Sequence, residues 1–478
     1  RRPDLAYSLG RADALGAGSS FALLSGTVRS AVGIVVGEPI DEQRNRLLKL
    51  VARFVPEEDG QRIAEFLGEL VGTPFSDAEN PRLRAARQNT QIMADQIRSA
   101  YLELLRGITK IRPLLLALED LHWGDGSSVR ILDEVLRELE DRPLVLVTFA
   151  RPEVREVFPK LWVERNMVDL RLSPLSRRAA GELVKTTLAD AIDAETMALI
   201  VDRAGGNAFY LEEFIRTVTE GRGTVLPDTV LGMVEARLSA LDSESRRLLR
   251  AASILGEAFW PDGLAALLGD DLETIGKIID ELVTREIVVK RGERRFAGKE
   301  EYAFRHALIR EGAYAMLADR DLSEGHRLAG EWLERVGEQD AMLLALHFQK
   351  GENPSRAAVH YLRAAEQALR GADLTTAITR AERGIDCHPD QEIAAELHAV
   401  KAEAQLWSAD YAGTLTSALQ TMGLAKPNSK SHCQALSMAI TSAVFHRDGA
   451  TVARLTPQLF TMDPDPQAFS AIAYAFQV

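Results

Sequence analysis

Short apolar runs and longer amphipathic stretches divide this chain unequally. Up to about residue 110, Gly-rich loops alternate with helical patterns such as Gln61 to Leu70 and Gln88 to Leu105. Pro113 to Leu118 is then a continuous apolar run bounded by Pro and by acids, which is how a strand buried on both faces reads. Ser127 to Leu139 carries Val129, Leu132, Val135, Leu136 and Leu139 at helical spacing, and Pro143 to Phe149 is a second apolar run. Strand, helix and strand in this order predict a βαβ unit with parallel strands. Ligands of such sheets bind beyond the carboxyl ends of the strands. There the sequence places Glu119 and Asp120 after one strand and Arg151 after the other.

Strand signals fade after about residue 170. Ser176 to Leu188 and Ala194 to Ala204 read as helices, Gly205-Gly206-Asn207 breaks the chain, and Tyr210 to Thr219 resumes it. From Leu226 to about Leu317 three or four helices precede a β-hairpin, Ile287 to Lys290 and Tyr302 to Arg305, with a charged tip. Helices followed by a two-stranded wing have the layout of a winged-helix domain. Beyond Ser323 the pattern is helical throughout. Ala368-Leu369-Arg370-Gly371-Ala372-Asp373-Leu374 is echoed by Gln405-Leu406-Trp407-Ser408-Ala409-Asp410-Tyr411, an offset of about 37 residues. That is slightly longer than the roughly 34 of a tetratricopeptide repeat. Each unit reads as helix, tight turn at Ala-Asp and second helix, and Val444 to Leu459 is expected to begin a third. Helix pairs that cannot bury their faces alone stack into a solenoid with a concave surface for partners.

Composition narrows the field. At 478 residues with 46% hydrophobic and 27% charged positions, the chain reads as two to four soluble domains. A net charge of −13 argues against a general nucleic-acid binder, whose affinity needs a basic face. The helix that would read DNA, Leu272 to Leu282, sets Glu273, Asp280 and Glu281 against Lys277 alone. An intramolecular role suits it better, with no direct nucleic acid. Two cysteines without CxxC spacing support neither a disulfide framework nor a zinc site, and suggest a reducing, cytoplasmic compartment. No window reaches the ~20 apolar residues of a membrane helix. Arg1-Arg2 is not followed by the apolar segment of a secretory signal. The chain opens mid-pattern without Met, and Phe469 to Val478 stops inside an apolar run, so a fragment of a longer protein is expected.

Two consecutive acids at the end of a strand suit ATP hydrolysis, which needs Mg²⁺ on the phosphates and a carboxylate positioning water. The same pair also fits solvated loop acids. Their setting is more specific. Leu114-Leu115-Leu116-Ala117-Leu118-Glu119-Asp120-Leu121-His122-Trp123-Gly124-Asp125 resembles the Walker B region of the AAA-like signal transduction ATPases with numerous domains. Leu144 to Arg151 is similar to that family's sensor 1 strand, and Leu170 to Ser176 to its junction with a helical lid. Ala204-Gly205-Gly206-Asn207-Ala208-Phe209 resembles the lid's GxP motif, and Phe304-Arg305-His306-Ala307-Leu308 a winged-helix segment. These motifs follow in family order from about residue 10 to about residue 420.

The resemblance implies an incomplete α/β parallel-sheet P-loop NTPase core over residues 1–170 and a helical lid over 171–224. A winged-helix domain over 225–320 and an all-α tetratricopeptide-like solenoid over 321–478 would follow. It implies ATP or ADP with Mg²⁺ as cofactors, Glu119 in the Mg²⁺ shell through water, Asp120 polarising water and Arg151 sensing the γ-phosphate. Gly206, Asn207 and Ala208 would line the adenine pocket, although Ala208 stands where the motif has Pro and forfeits its fixed φ. Arg305 and His306 would contact the β-phosphate of ADP. For His122 and Trp123 packing is the expectation. No GxxxxGK[ST] occurs: Gly276-Lys277 and Gly298-Lys299 lack its flanks, and Gly16-Ala17-Gly18-Ser19-Ser20 has no Lys. The phosphate-binding loop is therefore expected upstream of Arg1, with ATPase activity in the intact protein and none in this chain alone.

The function so implied is an ATP/ADP-controlled signalling switch. A protein or small-molecule inducer would act on the C-terminal repeats, and an ATP-dependent homo-oligomer would be its active form. Alternatives are the regulatory region of a Ser/Thr protein kinase, of a nucleotide cyclase or of a helix-turn-helix transcription regulator. A non-hydrolysing interaction scaffold is a further one.

Overall fold

The computed structural model describes residues 4–13, 17–188, 192–219, 230–292 and 294–462. Arg1, Arg2, Gly16, Leu226 and the run Phe469 to Val478, used in the reading above, lie outside the described residues. The chain is mostly helical, with one small parallel sheet of three strands and, later, one antiparallel sheet of three strands among the described residues.

The parallel sheet has β1 (Ala6–Arg11) and β3 (Leu144–Thr148) on either side of β2 (Leu114–Glu119). Its register sets Arg11 beside Glu119 and Leu118 beside Thr148, so the carboxyl ends of all three strands lie together. Strand β1 has no counterpart in the apolar pattern because its inward positions are small: Ala6, Ser8 and Gly10. Gly10 is required there. A Cβ would stand 2.8 Å from the Leu23 carbonyl oxygen and 3.0 Å from Leu118 Cδ2, where helix Ala22–Val32 crosses the sheet.

Helices Ile40–Phe54, Glu57–Val71 and Thr90–Ile111 cover one face of this sheet. Leu114, Leu116 and Leu118 point into a core with Leu23, Leu24, Phe66 and Tyr101. The expectation of strands buried on both faces is corrected by the other side. Strand β2 alternates buried with half-buried residues, and Val145 on β3 and Phe149 just after it are more than half exposed. Strand β3 is an edge among the described residues, and nothing described covers those side chains.

Helices Arg177–Leu188, Ala194–Ala204 and Ala208–Thr219 close a small core of their own around Val184, Ile200, Leu211 and Phe214. Then Val230–Ser239, Ser243–Leu255, Pro261–Leu268 and Leu272–Thr284 precede the antiparallel sheet. Its order is β4 (Ala258–Phe259), β6 (Tyr302–Phe304), β5 (Val288–Lys290), with Val288 opposite Phe304. Trp260 lies 4.9 Å from Phe296 and 5.3 Å from Trp332, ring centre to ring centre. Since Trp332 belongs to helix Asp319–Arg335, this core continues past residue 320.

Antiparallel helix pairs follow to the end of the described residues: Pro354–Arg370 with Leu374–Asp386, Gln391–Trp407 with Tyr411–Leu424, and Lys430–Phe445 with Gly449–Thr461. Each pair turns on a left-handed residue, Ala372, Ala409 or Arg447, at φ 52°, 60° and 59°. An Asp follows each one. Asp373, Asp410 and Asp448 accept amide hydrogens from Thr376, Gly413 and Thr451 and so cap the second helix. The third pair thus begins at Lys430, ahead of the run Val444 to Leu459 in which the sequence places its start, and the turn His446 to Asp448 lies inside that run. The tight turns expected at Ala372-Asp373 and Ala409-Asp410 are thus present, and Arg447-Asp448 makes a third of the same kind.

Candidate functional site at the carboxyl ends of the parallel strands

Beyond the strand ends, the backbone turns sharply at Asp120 (φ 56°, ψ 40°), a left-handed conformation that Asp tolerates, and enters a single 3₁₀ turn, Leu121–Trp123. Asp125 follows and is buried. Its Oδ1 accepts from the Ser128 amide at 2.8 Å, capping helix Gly126–Glu138, and from the Phe21 amide at 2.9 Å. Burial raises its carboxyl above the ordinary range, and those hydrogen bonds oppose the rise. One carboxylate thus fixes both the helix after β2 and the loop after β1, a role that no spacing in the sequence marks.

Glu119 is half-buried and engaged: Arg11 Nε donates to its Oε2 at 2.6 Å. Asp120 stands beside it. Arg151 is exposed, with its guanidinium 5.5 Å from the centre of the Trp123 ring, and its amide donates to Nδ1 of His122 at 3.4 Å. His122 is buried against Trp123, ring centres 4.4 Å apart, with its Nε2 unpartnered. Burial lowers the His122 pKa, with Arg151 adding to the fall and Asp120 and Glu153 opposing it.

The second group of residues gathers about helix Ala208–Thr219. Asn207 accepts amide hydrogens from Phe209 (2.9 Å) and Tyr210 (3.4 Å), so its side chain is spent as the helix cap and Ala208 is the first helical residue. Gly206, at φ 79°, accepts from the Leu175 amide, and a Cβ there would meet the Leu175 oxygen at 2.6 Å. Arg305 donates to Glu212 at 3.2 Å and pairs with Glu286 at 3.4 Å. The His306 ring meets Phe209 edge-on at 4.7 Å, and its buried Nε2 makes no hydrogen bond, the nearest carboxylate oxygen being Glu212 Oε1 at 3.9 Å. Burial lowers its pKa, with Glu212 and Glu213 opposing.

Glu257 links the two groups and is absent from the sequence reading. Its carbonyl accepts from the Phe304 amide, next to Arg305-His306, and its carboxyl senses Asp13 and Asp120. Burial and those two acids push its pKa up, while Arg11 and Arg291 hold it down. The strand ends therefore gather one cation, Arg11, with three acids, Glu119, Asp120 and Glu257. As a holder of Mg²⁺ with nucleotide it is incomplete. Among the described residues no group of three His, Cys, Asp or Glu side chains is arranged to hold a metal ion, Glu119 is committed to Arg11, and the sequence holds no GxxxxGK[ST] motif.

The helical repeats reach this end of the sheet. Ser19 donates to Asp340 at 2.7 Å, Ser127 to the Gly371 carbonyl at 3.0 Å, and Thr90 to Glu403 at 3.2 Å. Buried Arg380 donates to the Gly18 and Ala364 carbonyls and to Ser20. Among the described residues no helix is long and apolar enough to cross a membrane.

No protein-family model matches the chain. An uncharacterized protein of Rhizobium meliloti (strain 1021) is 26% identical over 273 residues, covering 52% of this chain and 25% of that protein. The chain thus spans about a quarter of the length of the curated relative it matches. Among solved structures, a signal transduction ATPase with numerous domains and a tetratricopeptide repeat sensor, from Pyrococcus horikoshii, gives a TM-score of 0.40 at 10% identity. That comparison covers 99% of this chain and 74% of the other. A variant of Thermotoga maritima RuvB gives 0.22 at 14% identity, over 56% of this chain and 99% of its own. Neither overlays closely enough to transfer residues.

Proposed function

We propose that this chain is the regulatory part of a nucleotide-gated signalling switch, held shut by its own helical repeats. One observation carries the reading. Side chains of the repeat region hydrogen-bond the loop and helix beyond the parallel strands, through Asp340 to Ser19 and through Arg380 to Gly18, while Arg11 occupies the acid that ends the central strand. Two elements that have to separate for a ligand to act are thus tied together, as a two-position device requires.

In this reading Glu119 and Asp120 serve the Mg²⁺ shell and the attacking water once Arg11 lets go, and Arg151 leaves the Trp123 face for the terminal phosphate. Gly206, Asn207 and Ala208 border the adenine, and Arg305 and His306 meet the diphosphate of ADP. The unpartnered Nε2 of His306 supports that assignment, because it is a buried polar atom with capacity to spare. The phosphate-binding loop is assigned to chain outside this sequence, and the open edge of β3 is where its strand can pair. An inducer on the repeats, protein or small molecule, would favour the open form.

The test is ADP release from the full-length protein, followed by displacement of a fluorescent analogue. His306→Ala should release ADP several-fold faster, and an unchanged rate would sink the assignment. A non-hydrolysing scaffold is the second reading, favoured by the Arg11–Glu119 pair itself. Full-length protein that binds ADP and never turns ATP over, even with Arg11→Gln, would select it.

A further inference from the structure

A cavity of about 770 Å³ lies where the first part of the chain, the antiparallel-sheet region and the start of the helical repeats meet. Ser25 and Arg29 of helix Ala22–Val32, Trp260 and Arg295, and Glu338 and Asp340 belong to its wall. None of Glu119, Asp120, Arg151, Gly206, Asn207, Ala208, Arg305 and His306 lines it, but Arg11 does. Its volume falls in the range of small-molecule sites.

The wall carries six arginines against four carboxylates, Asp13, Glu69, Glu338 and Asp340. Arg29 donates from Nε and Nη2 to the Val71 carbonyl, and no described carboxylate comes within salt-bridge distance of it. Burial and the neighbouring charge of Arg295 both press against its protonation, with Glu338 and Asp340 opposing. Arg295 has a partner in Glu338 at 2.7 Å. Asp340 is spent on Ser19 and on the amides of Met342 and Leu343. Trp260 is 2% exposed, and its Nε1–H has no partner. Arg29 thus lacks a carboxylate partner, and the Trp260 Nε1–H is a buried donor without an acceptor, which an anion can supply. Phe21, Phe75, Trp123 and Trp260 add aromatic faces to a wall that also holds aliphatic residues such as Met93 and Leu343.

We propose that this cavity binds a small organic anion, a carboxylate or phosphate on a flat apolar body, and that binding draws Arg11 away from Glu119. The anion meets Arg29 and Trp260 Nε1, and its body meets the aromatic wall. Arg11 lies between the cavity and Glu119, so an anion competes with that carboxylate for one guanidinium. The coupling clause rests on the switch reading above, and the binding clause does not.

The experiment is calorimetric titration of the full-length protein with phenyl phosphate and with phenylacetate, against inorganic phosphate and phenol, in the presence of saturating ADP. One saturable site is expected for at least one aromatic anion, about tenfold tighter than inorganic phosphate or phenol. Phenyl phosphate and phenylacetate separate the two anionic groups. Arg29→Gln should weaken binding roughly tenfold. Ser25→Phe, which puts a ring into the cavity without touching its charge, should do the same, with thermal melting reporting that each variant is folded. No saturable binding of either anion, phenol binding as tightly as both, or affinity unchanged in both variants overturns the site. ADP release measured with and without phenyl phosphate reads the coupling. A severalfold change that Arg11→Gln abolishes supports it, and an unchanged rate with binding intact overturns it. Failure to bind ADP at all overturns the switch reading and leaves anion binding to stand or fall by the titration.

Discussion

Arg11 and Glu119 end adjacent parallel strands in direct register, and the guanidinium of the first donates to the carboxylate of the second. The side chains are 36% and 35% exposed, so solvent screens the pair and its worth to stability is below about 1 kcal/mol. Arg11→Gln should therefore leave the denaturation midpoint almost unmoved. Its expected effect is on ligand binding: full-length protein carrying it should bind Mg²⁺-ATP severalfold tighter, as a fluorescent-ATP titration with and without Mg²⁺ measures. A large loss of stability with no gain in binding would show the pair to be structural only.

Arg380 ties the repeats to the loop after β1. It is buried, and its hydrogen bonds to Gly18, Ser20 and Ala364 come from a charged donor, worth about 1.5–3 kcal/mol each at most. Arg380→Met should loosen the contact, raising amide hydrogen exchange at residues 17–21 while leaving the repeat helices Gln391–Trp407 and Tyr411–Leu424 protected. Uniform exchange across the chain would mean that the variant unfolds rather than opens.

Asp125→Ala removes a helix cap worth about 1 kcal/mol and strands the Phe21 amide at a further cost of about 1–3 kcal/mol. Urea denaturation should show a combined loss of roughly 2–4 kcal/mol. Asp125→Asn keeps an acceptor at Oδ1 and relieves a buried charge, so it should cost much less. Equal losses for the two would remove the capping account.

His326 and His347 share a hydrogen bond of 3.1 Å between their Nδ1 atoms, and Tyr314 bonds His326 Nε2 at 2.8 Å. Burial, with the neighbouring His347 and Lys350 charges, takes the His326 pKa down to about 2; burial and Lys350 take His347 down to about 3. Both are depressed below the unfolded value of about 6.5, so only the unfolded chain binds these protons between that pH and the folded values. Stability is fully present above about pH 6.5 and falls as the pH drops below it, by roughly 1 kcal/mol per pH unit for each histidine. Replacing both by Gln should flatten that dependence in thermal melts from pH 7 to 5, and an unchanged slope would refute it.

Strands β2 and β3 and the helix between them were legible because an apolar run bounded by Pro and acids allows few other readings. The hairpin of β5 and β6 was legible for a similar reason, its charged tip separating two short apolar stretches. Strand β1 was not legible, since Ser8 and Gly10 face inward only because helix Ala22–Val32 lies so close. Of the site, Glu119, Asp120 and Arg151 could be found from strand ends alone. Arg11, Glu257 and Arg380 could not, because their partners are distant in sequence and each looks like a solvated charge. Asn207 stood out by its position after two glycines, and the structure spends its side chain on a cap.

The edge that β3 presents among the described residues has a consequence for how this chain behaves in concentrated solution. Leu144-Val145-Leu146-Val147-Thr148-Phe149 is an uncharged β-prone hexapeptide in which Val145, Val147 and Phe149 are exposed, the kind of segment that templates cross-molecule pairing. Arg142-Pro143 stands before it and Arg151-Pro152 just after it. A charge and a proline on each flank interrupt any intermolecular ladder at both ends. The residues that mark where this strand starts and stops thus also act as gatekeepers, limiting aggregation from the segment that most invites it.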